Sequence, residues 1–298
     1  MIPPSLKPGD TIALISTARK ITPEECLPAI DFFKQAGFNV KLGKTIGAQY
    51  HQFAGDDALR TDDLQTQLND PKVQAIFCAR GGYGTMRIID NIDFRSFIKK
   101  PKWVAGYSDV TVLHSHLNKV YDIATLHCTM PINFSTNTNE SLQSILGILN
   151  GTKQLYKSEM TEHCRSGKAE GQLCGGNLSL LYALSNSDSD IDTTDKILFI
   201  EEIDEYLYHI DRMMLQMKRS GKLENLAGLI VGQFTDIKDN EIPYGKSAYE
   251  IIAEHTAEYD YPVWFNFPSG HEKDNRAIVL GAQYKIYPEN DKMVLKML

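Results

Sequence analysis

Cysteine is scarce in this chain. The five thiols, Cys26, Cys78, Cys128, Cys164 and Cys174, are scattered, odd in number and nowhere spaced as Cys-x-x-Cys. That excludes a disulfide scaffold and suits reduced thiols in the cytoplasm. A basic surplus is also missing: 31 Lys and Arg stand against 38 Asp and Glu, a formal charge of −7. No nucleic-acid partner is expected of such a chain, because phosphates need cations to neutralise them. No apolar run approaches the roughly 20 residues of a membrane-spanning helix, so no membrane partner is expected. The opening Met1-Ile2-Pro3-Pro4-Ser5-Leu6-Lys7-Pro8-Gly9-Asp10 has no apolar stretch like that of a signal peptide. Repeats and low-complexity segments are absent, and there are only two tryptophans, Trp103 and Trp264.

What is present is an ordinary globular composition, 42% hydrophobic and 23% charged, in a chain of 298 residues, long enough for two domains. Thr11-Ile12-Ala13-Leu14-Ile15-Ser16 reads as a first strand. Thr22-Pro23-Glu24-Glu25 opens a helix, with threonine at the cap, proline in the first turn and acids at the positive helix end; Gly37 closes it. Residues 38–42 and 73–79 read as further strands, with a helix over 56–68. A helix is expected after Arg80-Gly81-Gly82-Tyr83-Gly84, then a buried strand at Trp103. This alternation predicts a parallel sheet covered on both faces, with ligands at the carboxyl ends of its strands. The texture changes near Asn150. The polar stretch 151–167 reads as a linker between an N-terminal domain, 1–150, and a C-terminal domain, 168–298, with strands expected near 196–200, 226–234 and 277–298.

Lys102 to Thr111 concentrates the chemistry. A short strand runs into Gly106-Tyr107-Ser108, and a helix is expected over 110–120. A serine at a sharp strand-to-helix turn stands clear of the sheet beside free N–H groups, which suits a nucleophile whose attack creates an oxyanion. The same residues suit an ordinary helix cap, and Val110 stands where the nucleophile-elbow pattern has glycine. Arg80-Gly81-Gly82-Tyr83-Gly84 lacks the phosphate-loop and dinucleotide patterns. It is either a tight turn or a loop whose N–H groups approach Ser108.

A nucleophilic serine needs a base and an orienting acid. Of the eight histidines, His114 and His116 lie two apart on a helix and face different ways. His51, His163, His209 and His255 have settings that suit the surface. His127 follows an apolar run and suits either the site or the core. His271 stands apart, in the turn-rich segment 266–275 that follows a strand-like run. Glu201 and Glu202 close the apolar run 196–200, where alternation lets only one of them share the inward direction. Asp204, Glu205 and Asp211 suit solvent or substrate.

In order along the chain, Pro8-Gly9-Asp10, Ala79-Arg80-Gly81-Gly82-Tyr83-Gly84, Gly106-Tyr107-Ser108-Asp109-Val110-Thr111, Gly171-x-Leu173-x-Gly175-Gly176-Asn177-Leu178, Leu198-Phe199-Ile200-Glu201-Glu202 with Tyr208-x-x-Asp211-Arg212, and Gly270-His271 resemble the LD-carboxypeptidase family of serine peptidases. That family also contains the microcin C self-immunity peptidases. Each motif is modest, but the ordered set covers nearly the whole chain. The resemblance implies an α/β fold, with an N-terminal parallel-sheet domain of Rossmann or flavodoxin-like type and a smaller, β-rich, swivelling C-terminal α/β domain.

It also implies a triad of Ser108 as nucleophile, His271 as base and then acid, and Glu201 as orienting carboxylate. The oxyanion hole would be the N–H groups of Gly82 and Asp109. Arg80 is a candidate for a substrate carboxylate or for a structural ion pair. No metal and no organic cofactor is implied, and a homodimer is. Leu126-His127-Cys128-Thr129-Met130-Pro131 departs from the family's usual His-Gly-Pro, which alters one wall of the pocket. The expected activity is release of the terminal D-alanine of a murein tetrapeptide during peptidoglycan recycling in the cytoplasm. The alternative is cleavage of a microcin-type aminoacyl- or peptidyl-nucleotide amide, for which neither tryptophan offers a stacking wall. A non-catalytic ligand-binding role is disfavoured by the presence of all three triad residue types.

Overall fold

The computed structural model describes residues 1–298. The first half alternates β1 (Thr11–Ile15), α1 (Leu27–Gln35), β2 (Asn39–Leu42), α2 (Asp57–Asn69), β3 (Val73–Cys78), β4 (Trp103–Gly106), α3 (Thr111–Tyr121), β5 (Thr125–His127) and α4 (Asn139–Leu149). The rest comprises β6 (Leu155–Glu159), β7 (Ala169–Asn177), α5 (Leu178–Ala183), β8 (Ile197–Ile203), α6 (Leu207–Arg219), β9 (Gly228–Thr235), α7 (Ala248–Thr256), β10 (Val263–Trp264), β11 (Ile278–Leu280), β12 (Gln283–Glu289) and β13 (Lys292–Met297). No helix is long and apolar enough to cross a membrane.

Five parallel strands form the first sheet in the order β2-β1-β3-β4-β5, with β11 antiparallel against β5. The chain leaves β1 toward β2 on one side and β3 toward β4 on the other, so the direction reverses between β1 and β3, the place where such sheets form a ligand crevice at their strand ends. The second sheet runs β10-β9-β8-β7-β12-β13-β6, parallel from β10 to β7 and antiparallel beyond.

Both faces of the first sheet are covered, as its strands require. On β1, Ile12 and Leu14 pack into one hydrophobic cluster, and Ala13 and Ile15 into another. Side chains alternate across a strand, so a run apolar at every position needs cover on both sides. The first of these clusters continues from Leu14 and Phe77 through Trp103 to Phe199, Trp264 and Leu295 of the second sheet. The two sheets therefore share one continuous core.

Three local expectations change. The segment after Gly84 is not a helix but three short 3-10 turns, Thr85–Arg87, Ile89–Asn91 and Phe97–Lys99. Asp93 there caps the Arg95 N–H at 2.9 Å, a local bond that competes with helix propagation. The stretch 151–167 contains β6, paired with β13, and Ser158 accepts a hydrogen bond from Trp264 Nε1 at 2.9 Å. Residues 278–280, placed by sequence with the second unit, join the first sheet as β11.

Candidate active site

Ser108 stands directly after β4 with a left-handed φ of +60°. This conformation is uncommon for a side-chain-bearing residue and is held only where the surroundings enforce it. Gly106 is part of that enforcement. Its φ is +148°, and a methyl group there would meet Val110 Cγ2 at 2.8 Å, so Val110 fills the space above the turn. His114 Nε2–H donates to Gly106 O at 2.9 Å from the first turns of α3. Burial holds His114 down to about 4, so it stays a neutral donor. Ser108 is half-buried, and its hydroxyl makes no hydrogen bond within the chain.

The glycine loop after β3 lies against this turn. A methyl group on Gly81 would sit 3.3 Å from Ser108 Cβ and 3.4 Å from its Oγ. The Gly82 N–H has no acceptor within the chain. Asp109 N–H belongs to the single 3-10 turn, Ser108–Val110, that leads into α3, where first N–H groups lack carbonyl partners. The Asp109 side chain turns inward, fully buried, and accepts Thr85 N–H at 2.9 Å.

His271 comes from the loop between β10 and β11. Its Nδ1–H donates to Glu201 Oε2 at 2.6 Å, and its ring lies 4.7 Å from that of Tyr107, the residue before Ser108. Burial by itself pulls the His271 pKa down. The negative charge of Glu201, its hydrogen bond and the charge of Glu202 outweigh that, and the net shift is upward. The loop is fixed by Gln233, which sits where the β8–β9 register shifts. Gln233 N–H donates to Ser269 O, its Nε2 donates to Asp274 O and its Oε1 accepts Glu272 N–H, each at 3.0 Å. Asn275 Oδ1 accepts Gly270 N–H at 3.1 Å, and Asn275 N–H reaches Ser141 Oγ on α4 at 2.7 Å.

Strand parity separates the two glutamates. Ile197 and Phe199 point into the core shared with the first sheet, and Leu198 and Ile200 into the cluster under α6. Glu201 continues the first set and reaches His271. Glu202 continues the second, where it accepts Asn177 Nδ2 at 2.9 Å, Ser179 N–H at 2.7 Å and Ile203 N–H at 2.9 Å. Glu202 is thus a cap for the start of α5. Burial, then the charge of Glu201, raises its pKa.

The other sequence candidates lie as follows. Arg80 donates to Lys20 O at 3.0 Å and faces Glu25 at 3.9 Å. His127 is fully buried, stacked on His114 and edge-on to Phe199, with neither ring nitrogen hydrogen-bonded. His209 pairs with Glu205 at 2.6 Å and His255 with Asp211 at 2.8 Å. No group of three or more His, Cys, Asp or Glu side chains is placed to hold a metal ion. Sequence reasoning missed Gln233, Asn275 and the inward role of the Asp109 carboxyl. The one available cue was Gly232 beside a polar residue within an apolar strand, a pattern that marks irregular strands.

The LD-carboxypeptidase N-terminal domain model matches residues 12–128, and the C-terminal domain model matches residues 170–286. A protein of Bacillus subtilis (strain 168) named "Probable murein peptide carboxypeptidase" is 36% identical, over 94% of this chain and 90% of that protein. The microcin C7 self-immunity protein MccF of Escherichia coli is 24% identical, over 95% of this chain and 92% of its own length. Among solved structures, the muramoyltetrapeptide carboxypeptidase from Oxalobacter formigenes superimposes with a TM-score of 0.88 at 25% identity, covering 96% of this chain and 98% of that one.

Proposed function

The chain belongs to the LD-carboxypeptidase family, and on that premise we propose that it is a serine carboxypeptidase that releases the terminal D-alanine of murein tetrapeptides by cleaving the L,D bond in peptidoglycan recycling. The observation that carries this reading is the His271–Glu201 pair set beside the strained Ser108 turn. Ser108 Oγ attacks the carbonyl carbon of the scissile amide and passes its proton to His271 Nε2. The N–H groups of Gly82 and Asp109 receive the oxyanion, whose stabilisation is commonly the largest single contribution in acyl transfer. Glu201 holds the imidazole in the tautomer that leaves Nε2 free and steadies the imidazolium once formed. His271 then returns the proton to the departing amine of D-alanine. Water, activated by the same imidazole, hydrolyses the acyl-enzyme.

Both tryptophans favour the peptide substrate over a nucleotide-bearing one. Their rings are buried, and their N–H groups go to Pro4 O at 3.0 Å and Ser158 Oγ at 2.9 Å, which leaves no indole to stack on a base. The test is mass spectrometry of a murein tetrapeptide incubated with wild type and with Ser108→Ala. Loss of one alanine with wild type alone supports the reading. Cleavage by neither overturns it and moves the search to aminoacyl-nucleotide amides.

A further inference from the structure

A carboxypeptidase must recognise the free carboxylate at the end of its substrate, and this chain carries a net charge of −7 that repels anions. A local cation at the site would offset that repulsion. Four arginines surround the glycine loop, and three are already engaged. Arg60 is buried and donates to Thr17 O at 2.6 Å and Gly84 O at 2.9 Å. Arg87 forms a two-pronged pair with Asp57. Arg80 is held by Lys20 O and Glu25 and lines, with them and Gln49, a separate cavity of about 270 Å³ that includes neither Ser108 nor His271.

Arg19 is the fourth. It lies in the loop after β1, packed against the glycine loop after β3. Its backbone is held from both sides: Arg19 N–H donates to Gly81 O at 3.3 Å, and Ser16 Oγ donates to Arg19 O at 2.6 Å. Its side chain lies flat over Gly82, where a methyl group would come within 2.6 Å of both Cδ and Nε. Gly82, at φ +107°, leaves the space the arginine occupies. The Arg19 guanidinium is exposed and has no hydrogen bond or ion pair within the chain, and Gly81, next to Gly82, touches the nucleophile turn.

From this placement we propose that Arg19 binds the free α-carboxylate of the departing D-residue, so that the scissile carbonyl is presented to Ser108 and the Gly82 N–H. The proposal rests on the carboxypeptidase reading above. Arginine suits the task because its planar fork meets both carboxylate oxygens at once, which fixes orientation as well as charge. It is a specificity residue: an amide or an extended peptide at that position offers no anion to hold.

The test compares a murein tetrapeptide ending in D-alanine with the same peptide ending in D-alaninamide, by steady-state kcat and KM. Wild type is expected to prefer the acid. Arg19→Gln should lower kcat/KM for the acid about tenfold to a hundredfold more than for the amide, mainly through KM, the scale of one charge-assisted hydrogen bond. Arg19→Lys should retain part of the preference, since it keeps the charge and loses the fork. An equal loss on both substrates, or no loss on either, overturns the assignment and leaves the carboxypeptidase reading standing. Failure of wild type to release alanine from the acid overturns that reading, and this one with it.

Discussion

The carboxyl of Asp109 accepts the backbone N–H of Thr85 at 2.9 Å and so ties the Ser108 turn after β4 to the glycine loop after β3. Thr85 Oγ1 in turn lies 2.7 Å from Thr17 Oγ1, beyond β1, and Arg60 reaches both loops. Three strand ends are thereby joined through buried polar groups. Asp109→Ala leaves the Thr85 N–H without its acceptor, and a buried unsatisfied group costs about 1–3 kcal/mol. The expected outcome is a loss of that order in denaturant melts, together with a fall in kcat, because the glycine loop is no longer tied to the Ser108 turn.

Glu201 and Glu202 should separate cleanly by measurement. Glu201→Gln keeps the shape but no longer stabilises the imidazolium, and kcat should fall about 10²- to 10⁴-fold with little change in melting temperature. Glu202→Ala strips the acceptor from Asn177, Ser179 and Ile203. It should cost about 2–4 kcal/mol in stability, more than one buried unsatisfied group. Equal stability losses in the two variants would contradict this division.

Ser108 sits in a strained, left-handed turn. A residue held in the left-handed region costs about 1–3 kcal/mol, and glycine relieves most of it. Ser108→Gly should therefore melt at a higher temperature than Ser108→Ala while both lack activity. Unchanged or lower stability in the glycine variant would show that the turn is not strained.

The pH dependence has two opposite parts. His271 must be neutral to accept a proton, and its pKa is raised despite burial. The acidic limb of kcat/KM should lie above the ordinary histidine value of about 6.5, and Glu201→Gln should move it to lower pH, because burial is then opposed only by the charge of Glu202. In stability, the raised His271 contributes fully below about 6.5 and loses its contribution as pH rises through its folded value.

His114, held at about 4 by burial, and His127, depressed by burial and then by the charges of His114 and His271, act the other way. Their contribution is present above about 6.5 and is lost as pH falls toward their folded values. Melting temperature should therefore drop on acidification from about 6.5. His127→Phe, which also removes two buried ring nitrogens without partners, should flatten that slope.

Much of this protein is legible in its sequence because the deciding physics is local. Alternating apolar runs, glycine and proline stops and the Gly106-Tyr107-Ser108 turn specify strands, helices and the lifted serine through backbone sterics and periodicity. Family resemblance then joins Ser108, His271 and Glu201. Local pattern could not choose between Glu201 and Glu202, because both end the same strand. The resemblance pointed to Glu201, and the structure adds the physical reason: Phe199 faces the first sheet and Ile200 faces away from it. Gln233 and Asn275 act through loops distant in sequence, and the freedom of Arg19 depends on what Arg60, Arg80 and Arg87 are already holding. Which side chain is left unpaired, and which face of a strand looks into the crevice, are settled by long-range packing, where the partners lie tens to hundreds of residues away and leave no periodic trace.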